Sequence, residues 1–213
     1  MIQIHRFVFN PFEENTYLLV DGATNQAAVV DPGMFTQDDL RVFDDFIAKH
    51  NITLKQVINT HMHVDHCFAD NYVCDKYNVT VAANTGDDYF AASPETQARR
   101  FGIQLHLSAI TITTSLKDGD AIAIGNSTLT VLHVPGHSQG GIALYSSEDG
   151  FVLSGDSLFR GSIGRTDFRG GDHAQLINAI HAKLLTLPEG TVVLPGHGPA
   201  TTIGDEKARN PYL

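Results

Sequence analysis

Tryptophan is absent from the 213 residues, and the two cysteines, Cys67 and Cys74, are too few for a disulfide framework. The fold must then be held by burial rather than by crosslinks, and a reducing cytoplasm is the expected compartment. No apolar run approaches the roughly 20 residues needed to span a bilayer. The N-terminal stretch is broken by His5, Arg6, Asn10, Pro11 and Glu13 before a signal-peptide core of about 7–15 apolar residues can form. Basic residues are also scarce, 14 Lys and Arg against 24 Asp and Glu, for a net charge of −10. That surface repels phosphate backbones and anionic lipid, so neither nucleic acid nor a membrane is an expected partner. Linkers, low-complexity tracts and short-period repeats are lacking too, and residues 1–213 read as one domain.

What remains is a chain 42% hydrophobic, enough for a substantial core. Short β-rich runs open it: IQIHRFVF, TYLLV and AAVV, the last ending at Asp31-Pro32-Gly33. Leu40, Phe43, Phe46 and Ile47 then recur at helical spacing, and LKQVINT reads as a strand running into His61. Residues 67–77 suggest a helix and TVAA a strand, whereas 84–110, with Pro94, Gly102 and mixed polarity, has no clear period. From Ala121 the β pattern resumes as AIAI, TLTVLHV, IALYSS and FVLSG. Asp172 is placed to cap a helix over AQLINAIHAKLLT, and TVVLP supplies a last strand before His197. Two strand-rich halves, each closed by helices, imply an α/β protein with two packed sheets and helices outside.

The sharpest signal is His61-Met62-His63-Val64-Asp65-His66, directly after a predicted strand. Residues two apart on extended backbone point the same way, so His61, His63 and Asp65 can converge while His66 turns into the following helix. A lone histidine is ordinarily a satisfied polar residue, but four metal-type donors in six positions reverse that expectation. Three further candidates end later strands in glycine-containing turns: His137 in PGHS, Asp156 in SGDS and His197 in PGHG.

In type and order these five histidines and two aspartates match the metallo-β-lactamase superfamily, which the chain resembles over essentially its whole length. Within it, SGDSLFRGSIGRTDFRGGD, LPGHGPATTIGDE and the closing Asn210-Pro211 are similar to the short bacterial relatives of glyoxalase II, the hydroxyacylglutathione hydrolases. The resemblance implies a four-layer αβ/βα sandwich. It also implies two divalent ions: His61, His63 and His137 on one, Asp65, His66 and His197 on the other, with Asp156 bridging. Zinc is the first choice of element, with iron or manganese equally compatible with such ligands. Where Asp156 stands, many zinc β-lactamases have cysteine, and where His63 stands, flavodiiron proteins have glutamate, so neither activity is expected.

The implied reaction is hydrolysis of a small acyl thioester. Metal coordination can bring the pKa of water to about 7 and polarise a carbonyl. A thiol of pKa about 8.5 then departs as thiolate without a strong general acid, so Asp65 is assigned to metal binding and to orienting the attacking water. Full-length glyoxalase II proteins carry a C-terminal helical extension that supplies much of the glutathione site, whereas this sequence closes at Leu213. Glutathione is thus the family default, and another small thiol carrier stays open. Two rivals stand beside hydrolysis. GRTDF, from Gly164 to Phe168, also resembles the persulfide dioxygenases, in which one iron would sit on His61 or His63, His137 and Asp156. A metal that only holds the fold is the other, although structural zinc sites usually close four ligands, often with cysteine. Arg160, Arg165, Lys207 and Arg209 read first as surface charges, His133 as a packed residue that supports a ligand, and Asp31 as an ordinary turn former.

Overall fold

The computed structural model describes all 213 residues. Its first half is a six-stranded sheet built from β1 (Ile2–Phe9), β2 (Glu14–Asp21), β3 (Gln26–Val30), β4 (Thr53–Ile58), β5 (Val81–Ala83) and β6 (Ile112–Ser115), in that spatial order. The first three strands run antiparallel as a meander; β3 to β6 pair in parallel. Parallel pairing needs crossovers, which α1 (Gln37–Lys49) and α2 (Asp70–Tyr77) supply. Thr36 starts α1 with a reciprocal capping box to Asp39. The second half contributes β7 (Ala121–Ile124), β8 (Ser127–His133), β9 (Ile142–Ser146) and β10 (Phe151–Gly155), then a small hairpin of β11 (Leu158–Phe159) and β12 (Ser162–Ile163). Its sheet is completed by β13 (Val192–Pro195) and β14 (Thr201–Thr202), in the order β14-β13-β10-β9-β8-β7.

Strand alternation divides the apolar residues among three layers of core. Leu18, Val20, Val29 and Val57 face Phe43 and Ile47 of α1 and Val73 of α2. Their neighbours Tyr17, Leu19, Ala28, Val30 and Ile58 face the other way, meeting Leu129, Val131, Leu144 and Leu153 of the second sheet. On that sheet's far side Ala143, Val152 and Val193 pack on Leu176, Ile180, Leu184 and Ile203. Each inner strand is therefore covered on both faces, which is why β2 is buried at every position. The three cores are the interfaces of a four-layer αβ/βα sandwich, as expected. No helix is long and apolar enough to cross a membrane.

The differences from the sequence reading are local. The helix anticipated from residue 67 begins at Asp70, after a 3₁₀ turn over Val64–His66, so His66 ends that turn rather than entering the helix. Residues 84–110 contain α3 (Asp88–Ala91) and α4 (Pro94–Arg100), both too short to display a helical period. Asp172 caps α5 (His173–Ala179) through the Gln175 amide, and the helix continues as a π turn over Ile180–Leu184. The closing α6 (Ile203–Arg209), begun by Thr202, was not foreseen.

Asp21 makes one of the polar contacts that tie the halves together. Buried Asp21, at the end of β2, accepts from Ser127 Oγ at 2.7 Å and from the Thr24 amide and hydroxyl at 2.9 and 2.8 Å. The Ser127 and Thr24 hydrogen bonds outweigh burial and hold the carboxyl well below the usual range. A depressed folded-state pKa stabilises the protein above the unfolded value of about 4 and ceases to do so as pH falls through the folded value. Asp21→Asn should therefore lower the urea midpoint at neutral pH, with the gap to the unsubstituted protein closing below about pH 4. A gap independent of pH would contradict this assignment.

Candidate metal centre

All seven predicted donors lie at one end of the sandwich, beyond the C-terminal ends of strands from both sheets. His61 to His66 follow β4, His137 follows β8, Asp156 follows β10 and His197 follows β13. Sharp backbone paths are needed where these loops converge. Gly155 has φ +50°, and a Cβ there would come within 2.4 Å of Thr60 Oγ1, so the turn before Asp156 is closed by contact with the loop before His61. The first sheet also reaches across to hold the His197 loop: Asn15 Nδ2 donates to the carbonyls of Pro195 and Gly198 at 2.9 Å each, and Tyr17 donates to Pro195 at 2.8 Å.

The donor atoms fall into overlapping groups within 4.8 Å: His61, His63 and His137; His61, His66 and Asp156; Asp65, His66 and His197. His63 Nδ1 is 2.9 Å from His137 Nε2, and His66 Nε2 is 3.2 Å from His197 Nε2. Asp156 lies between the pairs, 3.5 Å from His66 Nε2 and 3.6 Å from both His137 Nε2 and His197 Nε2. Asp65 Oδ2 is 3.3 Å from His197 Nε2 and 3.7 Å from His66 Nε2. The two triads of the sequence reading are thus reproduced as spatial groups, with Asp156 facing both.

For three of the five rings a second partner fixes a nitrogen that carries a proton. His137 Nδ1 faces the Arg165 carbonyl at 2.7 Å and His197 Nδ1 the Phe12 carbonyl at 3.0 Å, so both must donate from Nδ1. His66 Nδ1 faces Asp31 Oδ2 at 3.2 Å and donates likewise. When both rings are neutral, the Nε2 lone pairs of His66 and His197 are consequently turned on one another. Two such lone pairs at that distance repel unless positive charge lies between them. His61 Nε2 and Asp156 Oδ1 are also buried with no hydrogen-bond partner in the protein. Burying polar atoms unpaired is costly, and coordination relieves it. With bonds of about 2.0–2.1 Å, tetrahedral nitrogen donors would stand about 3.3 Å apart, close to the separations seen. The donor set fits divalent metal.

The local field points the same way. Burial lowers the His61 and His63 pKa values, the latter to about 3, assisted by the neighbouring imidazoles. Burial alone would raise the Asp156 carboxyl, but His66, His197 and His137 outweigh it and hold it well below the usual range. At the second group Asp156 and Asp65 outweigh burial and raise the His66 pKa well above, and the His197 pKa above, the ordinary imidazole value, so positive charge is favoured beside the ionised carboxylates, and a metal ion would supply it in place of protons.

Several supporting residues escaped the sequence reading. Asp31 is more than a turn former: its carboxylate accepts from the Thr60 amide at 2.7 Å and hydroxyl at 2.6 Å while orienting His66. Its φ of +52° is the signal that a sequence cannot display. Glu14 lies behind it, fully buried, with Oε2 accepting from Thr16 at 2.8 Å. His133, expected to support a ligand, instead meets the Gln139 carbonyl at 3.0 Å. Lys207 pairs with Glu189 and Arg209 with Asp205, as surface charges. Arg165 differs: it pairs with Asp167 at 2.6–2.7 Å, lies 4.0 Å above the Phe168 ring and lines the cleft over the centre. Cys67 is buried with its thiol on the His63 carbonyl, and burial pushes its pKa up, in keeping with an inert thiol.

Above the donors opens a cleft of about 570 Å³, a size suited to a small molecule. Phe12, Phe90, Phe101, Phe159 and Phe168 give it apolar walls, and Arg100, Arg165 and Arg169 lie among them.

Comparison with known proteins agrees with this geometry. The family model described as "Metallo-beta-lactamase superfamily" matches residues 9–197. The chain is 34% identical to "Hydroxyacylglutathione hydrolase GloC" of Haemophilus influenzae, covering 95% of this chain and 93% of that protein. Among solved structures, the BLEG-1 B3 metallo-beta-lactamase is 35% identical with a TM-score of 0.90, covering 99% of both chains. TTHA1623 in a di-iron-bound form is 33% identical with a TM-score of 0.87, covering 98% of this chain and all of that one.

Proposed function

The chain belongs to the metallo-beta-lactamase superfamily, and from that membership we propose that it hydrolyses small acyl thioesters at a centre of two divalent ions. The observation that carries the reading is the position of Asp156, within 3.6 Å of donor nitrogens in both histidine groups. His61, His63 and His137 would hold one ion, and Asp65, His66 and His197 the other, with Asp156 shared. Bound there, divalent ions supply nucleophilic water near neutral pH and polarise an acyl oxygen.

The protein's own groups do the rest. Asp65, with Oδ2 against His197, presents its carboxylate at the floor of the cleft and is assigned to orienting the attacking water. The phenylalanine walls exclude bulk water and receive the apolar parts of the substrate. Arg100, Arg165 and Arg169 favour a substrate with a negative charge on the acyl or thiol side. A thiol departs as thiolate, so the absence of a dedicated proton donor is tolerated. GloC is named for hydroxyacylglutathione, and that likeness supports a glutathione thioester as the first substrate to try.

Elemental analysis of protein purified without added metal, beside assays of thioester hydrolysis, persulfide-dependent oxygen uptake and β-lactam opening, tests the reading. We expect about two ions per chain and thioester cleavage, with Asp65→Asn losing turnover by about 10²–10³ while keeping its ions. A single iron with oxygen uptake overturns the proposal in favour of a dioxygenase. β-Lactam opening without thioester cleavage overturns the substrate class. Retained metal, no turnover of any of these, and a large loss of thermal stability in His137→Ala would leave a purely structural ion.

A further inference from the structure

We propose that Asp87 is a positioning residue for one of the two metal sites only, the group formed by His61, His63 and His137. Asp87 ends the short turn Thr85–Asp87 after β5 and touches no donor side chain, yet it is buried beneath the centre. Its Oδ2 accepts from the Met62 amide at 3.1 Å and the Ser138 hydroxyl at 2.8 Å, and its Oδ1 from the Gly140 amide at 2.7 Å. Met62 stands between His61 and His63, and Ser138 directly follows His137. One carboxylate thus binds the backbone of a loop from the first sheet to a loop from the second, at the points where both present donors to the same ion.

The packing leaves these loops little other choice. A Cβ on Gly140 would come within 2.6 Å of Asp87 Cγ, and one on Gly86 within 2.8 Å of the Gln139 carbonyl, so the two segments are in backbone contact. Only the carboxylate fills the acceptor role there, since the three groups facing it are two N–H donors and a hydroxyl. The other donor group is held by different residues: His66 by Asp31, and His197 by the Phe12 carbonyl and the Asn15 contacts to its loop. Loss of Asp87 should therefore loosen one ion and spare its neighbour, which general destabilisation would not do.

This inference rests on the two-metal reading, and the test separates the two. Full-length protein loaded with zinc is titrated with a chromogenic chelator, and His137→Ala and His197→Ala identify which phase of release belongs to which group. Asp87→Asn keeps the side-chain volume but turns an amide NH2 toward N–H or O–H donors where a carboxylate oxygen had accepted. We expect it to weaken the phase that His137→Ala removes by about 10–100-fold, the scale for residues that orient metal ligands, and to leave the other phase unchanged. Ser138→Ala, which removes a single hydrogen bond and should fold in any case, is expected to weaken the same phase by a smaller factor. Equal weakening of both phases, no weakening, or weakening confined to the His197 phase overturns the inference. Zinc bound as one ion per chain in the unsubstituted protein overturns the two-metal reading itself, and the inference with it.

Discussion

Asp156→Ala is expected to yield a folded protein that retains at most about one firmly bound ion and has lost thioester turnover by about 10³-fold or more. Asp156 is the acidic side chain within 3.6 Å of donor nitrogens from both histidine groups, whereas Asp65 approaches only His66 and His197. Removing it takes away a negative charge and the shared oxygen ligand together, and Asp65, which reaches only His66 and His197, is then the one carboxylate left among the seven donors to offset two dications. Each remaining group keeps at most three donors of its own, so a single ion can rearrange among them, but the paired arrangement is lost. Metal content by elemental analysis, near-ultraviolet circular dichroism and turnover should be measured on the same preparation. Two ions retained with activity reduced only a few-fold would show that Asp156 is not shared, and the dinuclear reading would fall.

The architecture was legible because the strands alternate. Val29 and Val57 against Ala28 and Ile58 assign two faces to neighbouring strands, and the same alternation in the second half separates Leu144 from Ala143. The seven donors were legible for a different reason: metal-type residues are costly to bury unless something repays them, so their clustering after strands stands out. What stayed hidden are residues whose role depends on a fold not yet known. Asp31, in Asp-Pro-Gly, has local reasons to exist as a turn former, and only the approach of Thr60 and His66 reveals the network around it. Asp87 lies in a segment where the 3₁₀ turn, α3 and α4 each run too few residues to generate a period. The small hairpin of β11 and β12 escaped notice because two-residue strands leave no alternation to read.

The glycines beside His197 provide a sharper test, because a single methyl group is added and no donor is removed. A Cβ on Gly196 would lie 2.3 Å from Asp156 Oδ1 and 2.7 Å from His66 Cε1, contacts that cannot both relax. His66 is fully buried and held through Asp31, so its ring has no free space to retreat into. The carboxylate must yield, and with it the separation from His66, His137 and His197 on which the shared site depends. Overpacking of this kind typically costs about 1–3 kcal/mol, and a displacement near 1 Å at reacting groups can cost about 10²-fold in rate. Gly196→Ala should therefore lose metal and turnover together. Gly198 is the matched control: its φ is +74°, and nothing lies within 4 Å of where its Cβ would be. Alanine there meets backbone strain of about 1–2 kcal/mol without touching Asp156 or His66. Gly198→Ala should melt earlier yet keep its ions and most of its activity once folded. If the two variants lose metal equally, the centre is being disturbed through the backbone of the His197 loop, and the contact of Gly196 with Asp156 and His66 is not what requires glycine.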